Sequence, residues 1–135
     1  MTDAPYVIRP IGRVESPLLD PRDAPKQGDE GAPDAHIAID EMLGRAMVGL
    51  EAGTEIFVLT WLDRADRNTV TVHPRDDPAN PARGVFSTRS ADRPNPVGLH
   101  RVEILSIDGT RLHVRGLEAI DGTPVVDLKP VLRPR

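Results

Sequence analysis

The chain contains no cysteine, which excludes disulfides, thiolate zinc sites and cysteine nucleophiles together and leaves the redox compartment open. It has no stretch near the roughly 18 consecutive apolar residues of a membrane span. Met1 to Pro10 lacks the apolar core of a signal peptide. No Gly-x-Gly-x-x-Gly follows a strand-like segment, so a Rossmann cofactor site is unsupported. Internal repeats and βαβ alternation are missing as well. So is an excess of positive charge: 17 Lys and Arg against 21 Asp and Glu give a formal net charge of −4, which argues against nucleic acid held by overall charge. A soluble, cytoplasmic protein is the default expectation.

What is present fits one domain over residues 1–135, since 135 residues with 39% hydrophobic content can fill one modest core. The charge is uneven. Residues 1–82 hold 8 Lys and Arg against 15 Asp and Glu, a balance of −7, and residues 83–135 hold 9 against 6, a balance of +3. The basic part is also the part with the densest local constraints.

Val7 to Glu15 reads as a first strand, stopped by Ser16-Pro17, with Gly12 as a bulge or contact point. Leu19 to Asp34 is rich in Pro, Asp and Gly and predicts a long surface loop, of a length more often functional than idle. His36 to Asp40 suits a short strand. Asp40 is then a plausible N-cap for a helix in which Met42, Leu43, Ala46, Met47 and Leu50 recur at helical spacing and face the core, ending at Gly53. Ile56 to Leu62 is a continuous apolar run that predicts a strand central to the sheet and buried on both faces. Thr69 to His73 alternates again, and Pro74 to Pro81 is a polar connection. His100 to Ile107 and Arg111 to Arg115 form a hairpin through Asp108-Gly109, with Arg111, His113 and Arg115 on its outer face, available to phosphates or to solvent. Leu117 to Ile120, the turn Asp121-Gly122-Thr123 and a last strand over Pro124 to Leu128 complete the chain. Repeated apolar strands with one short helix and long loops indicate a mainly β (α+β) fold, a small mixed β-barrel.

The stretch Arg-Gly-Val-Phe-Ser-Thr-Arg-Ser-Ala-Asp-Arg-Pro-Asn-Pro-Val-Gly-Leu over 83–99 is the candidate site. It opens as a short strand and breaks at Pro94 and Pro96, which hold Asn95 extended between them. Gly98 allows close backbone approach. Arg89 and Arg93 each offer a planar fork suited to a carboxylate or phosphate.

Residues 83–98 and the later Asp-Gly-Thr-Pro-Val-Val-Asp-Leu-Lys-Pro over 121–130 closely resemble the TrmO/TsaA-like methyltransferase family. The resemblance runs from Ile11-Gly-Arg-Val-Glu-Ser-Pro17 to Pro130 and does not reach the extra C-terminal domain of many bacterial relatives. It implies a β-barrel methyltransferase that binds S-adenosylmethionine near a homodimer interface and N6-methylates threonylcarbamoyl-adenosine beside the anticodon of tRNA. Carried over by motif, the cofactor contacts are Pro25, Lys26, Gln27, Asp63, Arg64, Arg89, Leu99, Leu117, Glu118, Ala119 and Ile120. Arg93 and Lys129 fall to substrate binding, and Asn95 and Asp127 to catalysis; no metal is implied. In this reading the Asn95 carbonyl accepts a hydrogen from the target amino group. Asp127 is either the final proton acceptor or the ion-pair partner of Lys129. Asp63 departs from the family, which has a histidine there, and aspartate can only accept hydrogen bonds; a local ion pair with Arg64, Arg67 or a neighbour is the structural alternative. Two other functions stay open: the same cofactor chemistry on another RNA or a small molecule, and a non-catalytic module that binds S-adenosylmethionine or RNA.

Overall fold

The computed structural model describes residues 5–20, 22 and 32–133. Six strands close into an antiparallel barrel in the order β1-β2-β7-β6-β3-β8. These are β1 (Gly12–Glu15), β2 (Ala35–Ile39), β3 (Glu55–Trp61), β6 (Val97–Asp108), β7 (Arg111–Arg115) and β8 (Pro124–Pro130). Two further strands, β4 (Thr71–Val72) and β5 (Arg83–Gly84), pair with each other outside the barrel. Among the described residues no helix is long and apolar enough to cross a membrane.

Closure follows from alternation, since every second side chain of a strand faces the interior. Val14, Ile37, Leu112, Ile56, Val58, Val102, Ile104, Val114 and Val125 fill it and are essentially inaccessible. Register aligns them: Val14 faces Ile37, Ile37 faces Leu112, and Ile56 faces Val102. Gly12 is the contact point the sequence suggested, because a Cβ there would overlap the Ala38 carbonyl across the β1–β2 pair. The Asp108-Gly109 hairpin forms, with Gly109 at a φ of 60°.

Three expectations change. The first strand is shorter than Val7 to Glu15: it begins at Gly12, and Val7 and Ile8 are exposed. The run from Ile56 alternates as buried and half-buried residues, so β3 is buried on one face only; a barrel has one interior, and Phe57, Leu59 and Trp61 face outward from it, half-buried. The segment after Asp40 is a 3-10 helix, Glu41–Met47, with no buried residue. Asp40 does cap it, accepting from the Met42 N–H at 3.0 Å. The tighter winding of a 3-10 helix moves side chains out of the 3.6-residue register, so Met42 points outward, and only Met47 and Leu50 pack against the core.

Candidate functional site

The stretch 83–99 is built as a braced loop. After β5, Val85–Ser87 makes one 3-10 turn, with Val85 buried and Phe86 exposed, rather than the expected short strand. Arg93 then reaches back across the loop. Its Nε donates to the Ser90 carbonyl at 2.8 Å, and Nη2 donates to the carbonyls of Thr88, at 2.6 Å, and Val85. Arg93, expected to hold substrate, spends three N–H groups on the backbone of the loop that carries Arg89. Arg89 itself is exposed and forms no hydrogen bond or ion pair among the described residues. Its fork is free for an anion.

The prolines place Asn95 where Arg67 can grip it. Arg67 Nε donates to the Pro94 carbonyl at 2.8 Å and Nη2 to Asn95 Oδ1 at 2.9 Å, while the guanidinium lies 5.1 Å from the Trp61 ring centre. A guanidinium only donates, so the amide oxygen faces Arg67 and Nδ2 faces away. Asn95 therefore presents a donor outward, and the carbonyl expected to take a hydrogen from the target amine is already in use. The same loop is tied to the end of β3, for Leu62 N–H donates to the Pro96 carbonyl at 2.8 Å and Asp66 N–H to Asp92 Oδ1 at 2.8 Å.

Beyond β3, Asp63 and Arg64 are exposed. Asp63 has no partner among the described residues, so neither Arg64 nor Arg67 forms the ion pair considered for it; Arg64 Nη1 donates weakly to the Leu19 carbonyl at 3.4 Å. Leu99, Leu59 and Asp127 form one row across β6, β3 and β8 on the outer face, where Leu99 is 40% exposed. Asp127 Oδ1 accepts from the Leu128 N–H at 2.9 Å, and Oδ2 lies 3.7 Å from Lys129 Nζ. Both side chains are more than half exposed, a geometry worth little in stability.

Leu117, Ala119 and their neighbours close the barrel end. Leu117 and Ala119 are buried in the core, so only their backbone can meet a ligand. The turn after them docks on the end of β1, with Ser16 N–H donating to Asp121 Oδ1 at 3.0 Å and Asp121 N–H to the Leu18 carbonyl at 2.7 Å. Glu118 points inward to residues that sequence reasoning missed: Oε1 lies 2.7 Å from His100 Nδ1, and His100 Nε2 lies 2.7 Å from Thr60 Oγ1. The missed signal was periodic, since His100 occupies an inward position between Gly98 and Val102. Pro25, Lys26 and Gln27 lie outside the described residues.

Outside this region the ionisable groups with displaced titration are structural. Arg22 holds the Asp20 carboxyl, and Arg101 the Glu55 carboxyl, below the usual range through hydrogen bonds, and burial lowers His36. The outer residues of β7 are paired, Arg111 with Glu15 at 2.9 Å, His113 with Asp34 at 3.6 Å and Arg115 with Glu103 at 3.5 Å, which weakens the case for phosphate contact there. No group of three acidic or histidine side chains among the described residues could hold a metal ion.

Residues 13–134 match the model of the tRNA-methyltransferase O N-terminal domain. The chain belongs to that family. A probable S-adenosyl-L-methionine-binding protein of Methanothermobacter thermautotrophicus is 48% identical over 130 residues, covering 96% of this chain and 93% of the relative. An S-adenosyl-L-methionine-binding protein of Archaeoglobus fulgidus is 43% identical over 123 residues, covering 91% and 87%. The crystal structure of TrmO from Pseudomonas aeruginosa superposes with a TM-score of 0.76 at 25% identity. That alignment covers 96% of this chain, which spans 57% of the TrmO chain.

The family uses S-adenosylmethionine, and two features of this chain suit it. The unpaired Arg89 fork matches the cofactor carboxylate. Glu118 Oε2 is the one buried side-chain polar atom among the described residues without a partner, and it suits an N–H or O–H donor of the ligand.

Proposed function

We propose that the protein is an S-adenosylmethionine-dependent methyltransferase whose acceptor is N6 of threonylcarbamoyl-adenosine next to the anticodon of tRNA. The match of residues 13–134 to the tRNA-methyltransferase O domain carries this reading. When bound, the cofactor supplies an electrophilic methyl group on a sulfonium.

The chain's part is binding and alignment. Arg89 holds the cofactor carboxylate as a bidentate pair. Backbone groups of Leu117 to Ile120 and Leu99 line the adenosine, with Pro25, Lys26, Gln27, Asp63 and Arg64 as further contacts. Asn95, fixed by Arg67, donates from Nδ2 to an acceptor atom of the substrate and so orients the nitrogen to be methylated. Arg93 acts on substrate through the loop it braces. Asp127 stands on the same outer row as Leu99 and takes the released proton, with Lys129 as its neighbour. A tRNA acceptor places this activity in the cytoplasm.

The outward apolar patch of Val97, Leu99, Leu59 and Trp61 on β3 and β6 supports a homodimer that covers the site from one side. Exposed apolar surface of this kind marks interaction sites.

Transfer of labelled methyl from S-adenosylmethionine tests the reading, using tRNA with and without threonylcarbamoyl-adenosine. Label entering only the modified tRNA is expected. Label in both, or in another RNA or a small molecule alone, replaces the acceptor and keeps the chemistry. Binding without turnover on any acceptor reduces the protein to a binding module.

A further inference from the structure

Phe86 lies in the Val85–Ser87 turn and is 85% exposed, whereas Val85 beside it is buried. A lone apolar side chain at a surface is ordinary. What sets this one apart is its mounting. The Val85 N–H donates to the Val70 carbonyl at 3.0 Å, Ser87 Oγ to the Gly84 carbonyl at 2.8 Å and Thr88 Oγ1 to the Val85 carbonyl at 3.0 Å. The bonds from Arg93 to the carbonyls of Val85 and Thr88 complete the brace. A fixed backbone thus holds an aromatic ring out in solvent.

Its neighbours add charge. Arg83 and Arg89, three residues to either side, are exposed and form no hydrogen bond or ion pair among the described residues. An aromatic face flanked by free cations suits a nucleobase and the phosphates beside it, because every base has a π-face and its backbone is anionic. Area favours the same occupant. A Phe ring buries about 200 Å², roughly a quarter of one partner's share of a standard protein interface, but it matches one stacked base. The outward apolar patch of Val97, Leu99, Leu59 and Trp61 that supports a homodimer does not include it.

We propose that Phe86 stacks on an unpaired base of the acceptor RNA and that Arg83 pairs with a phosphate next to that base. The inference rests on the tRNA reading above, whose acceptor stands in a single-stranded loop where bases can be splayed out and stacked on aromatic side chains. Phe86 shares its loop with Arg89 and Asn95, so the stacked base would help to set the register of the RNA at the site.

Binding of tRNA carrying threonylcarbamoyl-adenosine to full-length variants tests it, with S-adenosylmethionine affinity measured in parallel. Phe86→Ala is expected to raise the Kd for tRNA about 10- to 100-fold, with melting temperature and cofactor affinity at wild-type values. Phe86→Leu keeps an apolar side chain without a ring and is expected to lose about as much. Phe86→Trp is expected to keep the affinity and to report the stack directly, through fluorescence quenching by tRNA beyond that of Trp61 in the wild type. Arg83→Ala should lower the slope of log affinity against log salt by about 1, and an unchanged slope overturns the phosphate contact. Wild-type affinity in Phe86→Ala or Phe86→Leu overturns the stack. So does dissociation of a dimer in Phe86→Ala, which would put a second copy of the chain on the ring. These results leave the methyl-transfer reading intact; failure of the wild type to bind tRNA overturns the inference and the tRNA reading together.

Discussion

Arg67 holds Asn95 from two sides, through the Pro94 carbonyl and through Oδ1 itself, while its own guanidinium rests on Trp61. The pairing turns a loop asparagine into a donor of fixed direction. Arg67 is exposed, so Arg67→Ala is expected to change folding stability by no more than about 1 kcal/mol. Freed to rotate, Asn95 no longer aligns the acceptor, and kcat for methyl transfer should fall roughly 10- to 100-fold. Cofactor affinity should stay near that of the wild type. Equal kcat in the two proteins would show that Asn95 does not orient the substrate.

Arg93 makes a local stability prediction. Its three bonds to the carbonyls of Val85, Thr88 and Ser90 are charge-assisted and half-buried, so Arg93→Ala should lower the opening free energy of the 85–90 loop by about 1.5–3 kcal/mol. Native-state hydrogen exchange reads this at the Val85 and Thr88 amides, which donate to Val70 and Val85 carbonyls. Protection unchanged there, with substrate affinity lost, would return Arg93 to direct contact with substrate.

Gly98 sits over the Thr60–His100 hydrogen bond, and a Cβ there would meet His100 Nε2 at 2.7 Å as well as the Thr60 hydroxyl. Both neighbours are buried, so neither can swing away. Gly98→Ala is expected to cost about 1–3 kcal/mol in chemical denaturation. Gly44→Ala, whose Cβ would meet only Thr110 Cγ2 at 3.5 Å, is the control and should be close to neutral. Matching midpoints for the two variants would contradict the packing described.

His36 stacks on His113 with ring centres 4.6 Å apart. Its pKa is held below the ordinary 6.5, first by burial and then by Arg111 and His113, against the opposing pull of Glu15 and Asp34. The folded protein thus takes this proton less readily than the unfolded chain. The sign follows: no stability is lost to His36 well above pH 6.5, and stability falls as pH drops from there through the lower folded value. Urea midpoints measured from pH 7.5 to 5 should fall less in His36→Gln than in the wild type. Parallel profiles would show that His36 is not responsible.

Features carried by local chemistry were legible in the sequence. The Asp108-Gly109 turn, the Asp40 cap, the contact at Gly12 and the run of short strands each declare themselves within a few residues, and together they gave the barrel. What the sequence left hidden depends on partners distant in the chain. Nothing local says that the Arg93 fork is consumed by carbonyls, because a carbonyl has no sequence signature. Asn95 was legible as a rigid position, but the direction of its amide is set by Arg67, 28 residues away. His100 on an apolar strand face was a visible anomaly, yet Thr60 and Glu118, at separations of 40 and 18 residues, became its partners only through strand register and barrel closure. The segment after Asp40 carries apolar residues at helical spacing yet winds as a 3-10 helix over Glu41–Met47, because tertiary context overrides so short a local pattern.

Arg89 is the most direct test of the cofactor site. Its fork makes no hydrogen bond or ion pair among the described residues, whereas that of Arg93 is bound to three carbonyls of the same loop. Titration of S-adenosylmethionine by calorimetry into the wild type and Arg89→Ala, at one pH and salt concentration, should show binding by the wild type and a loss of about 1.5–3 kcal/mol in the variant, with identical melting temperatures. Wild-type affinity in Arg89→Ala would contradict the account, since the cofactor carboxylate would then be held elsewhere.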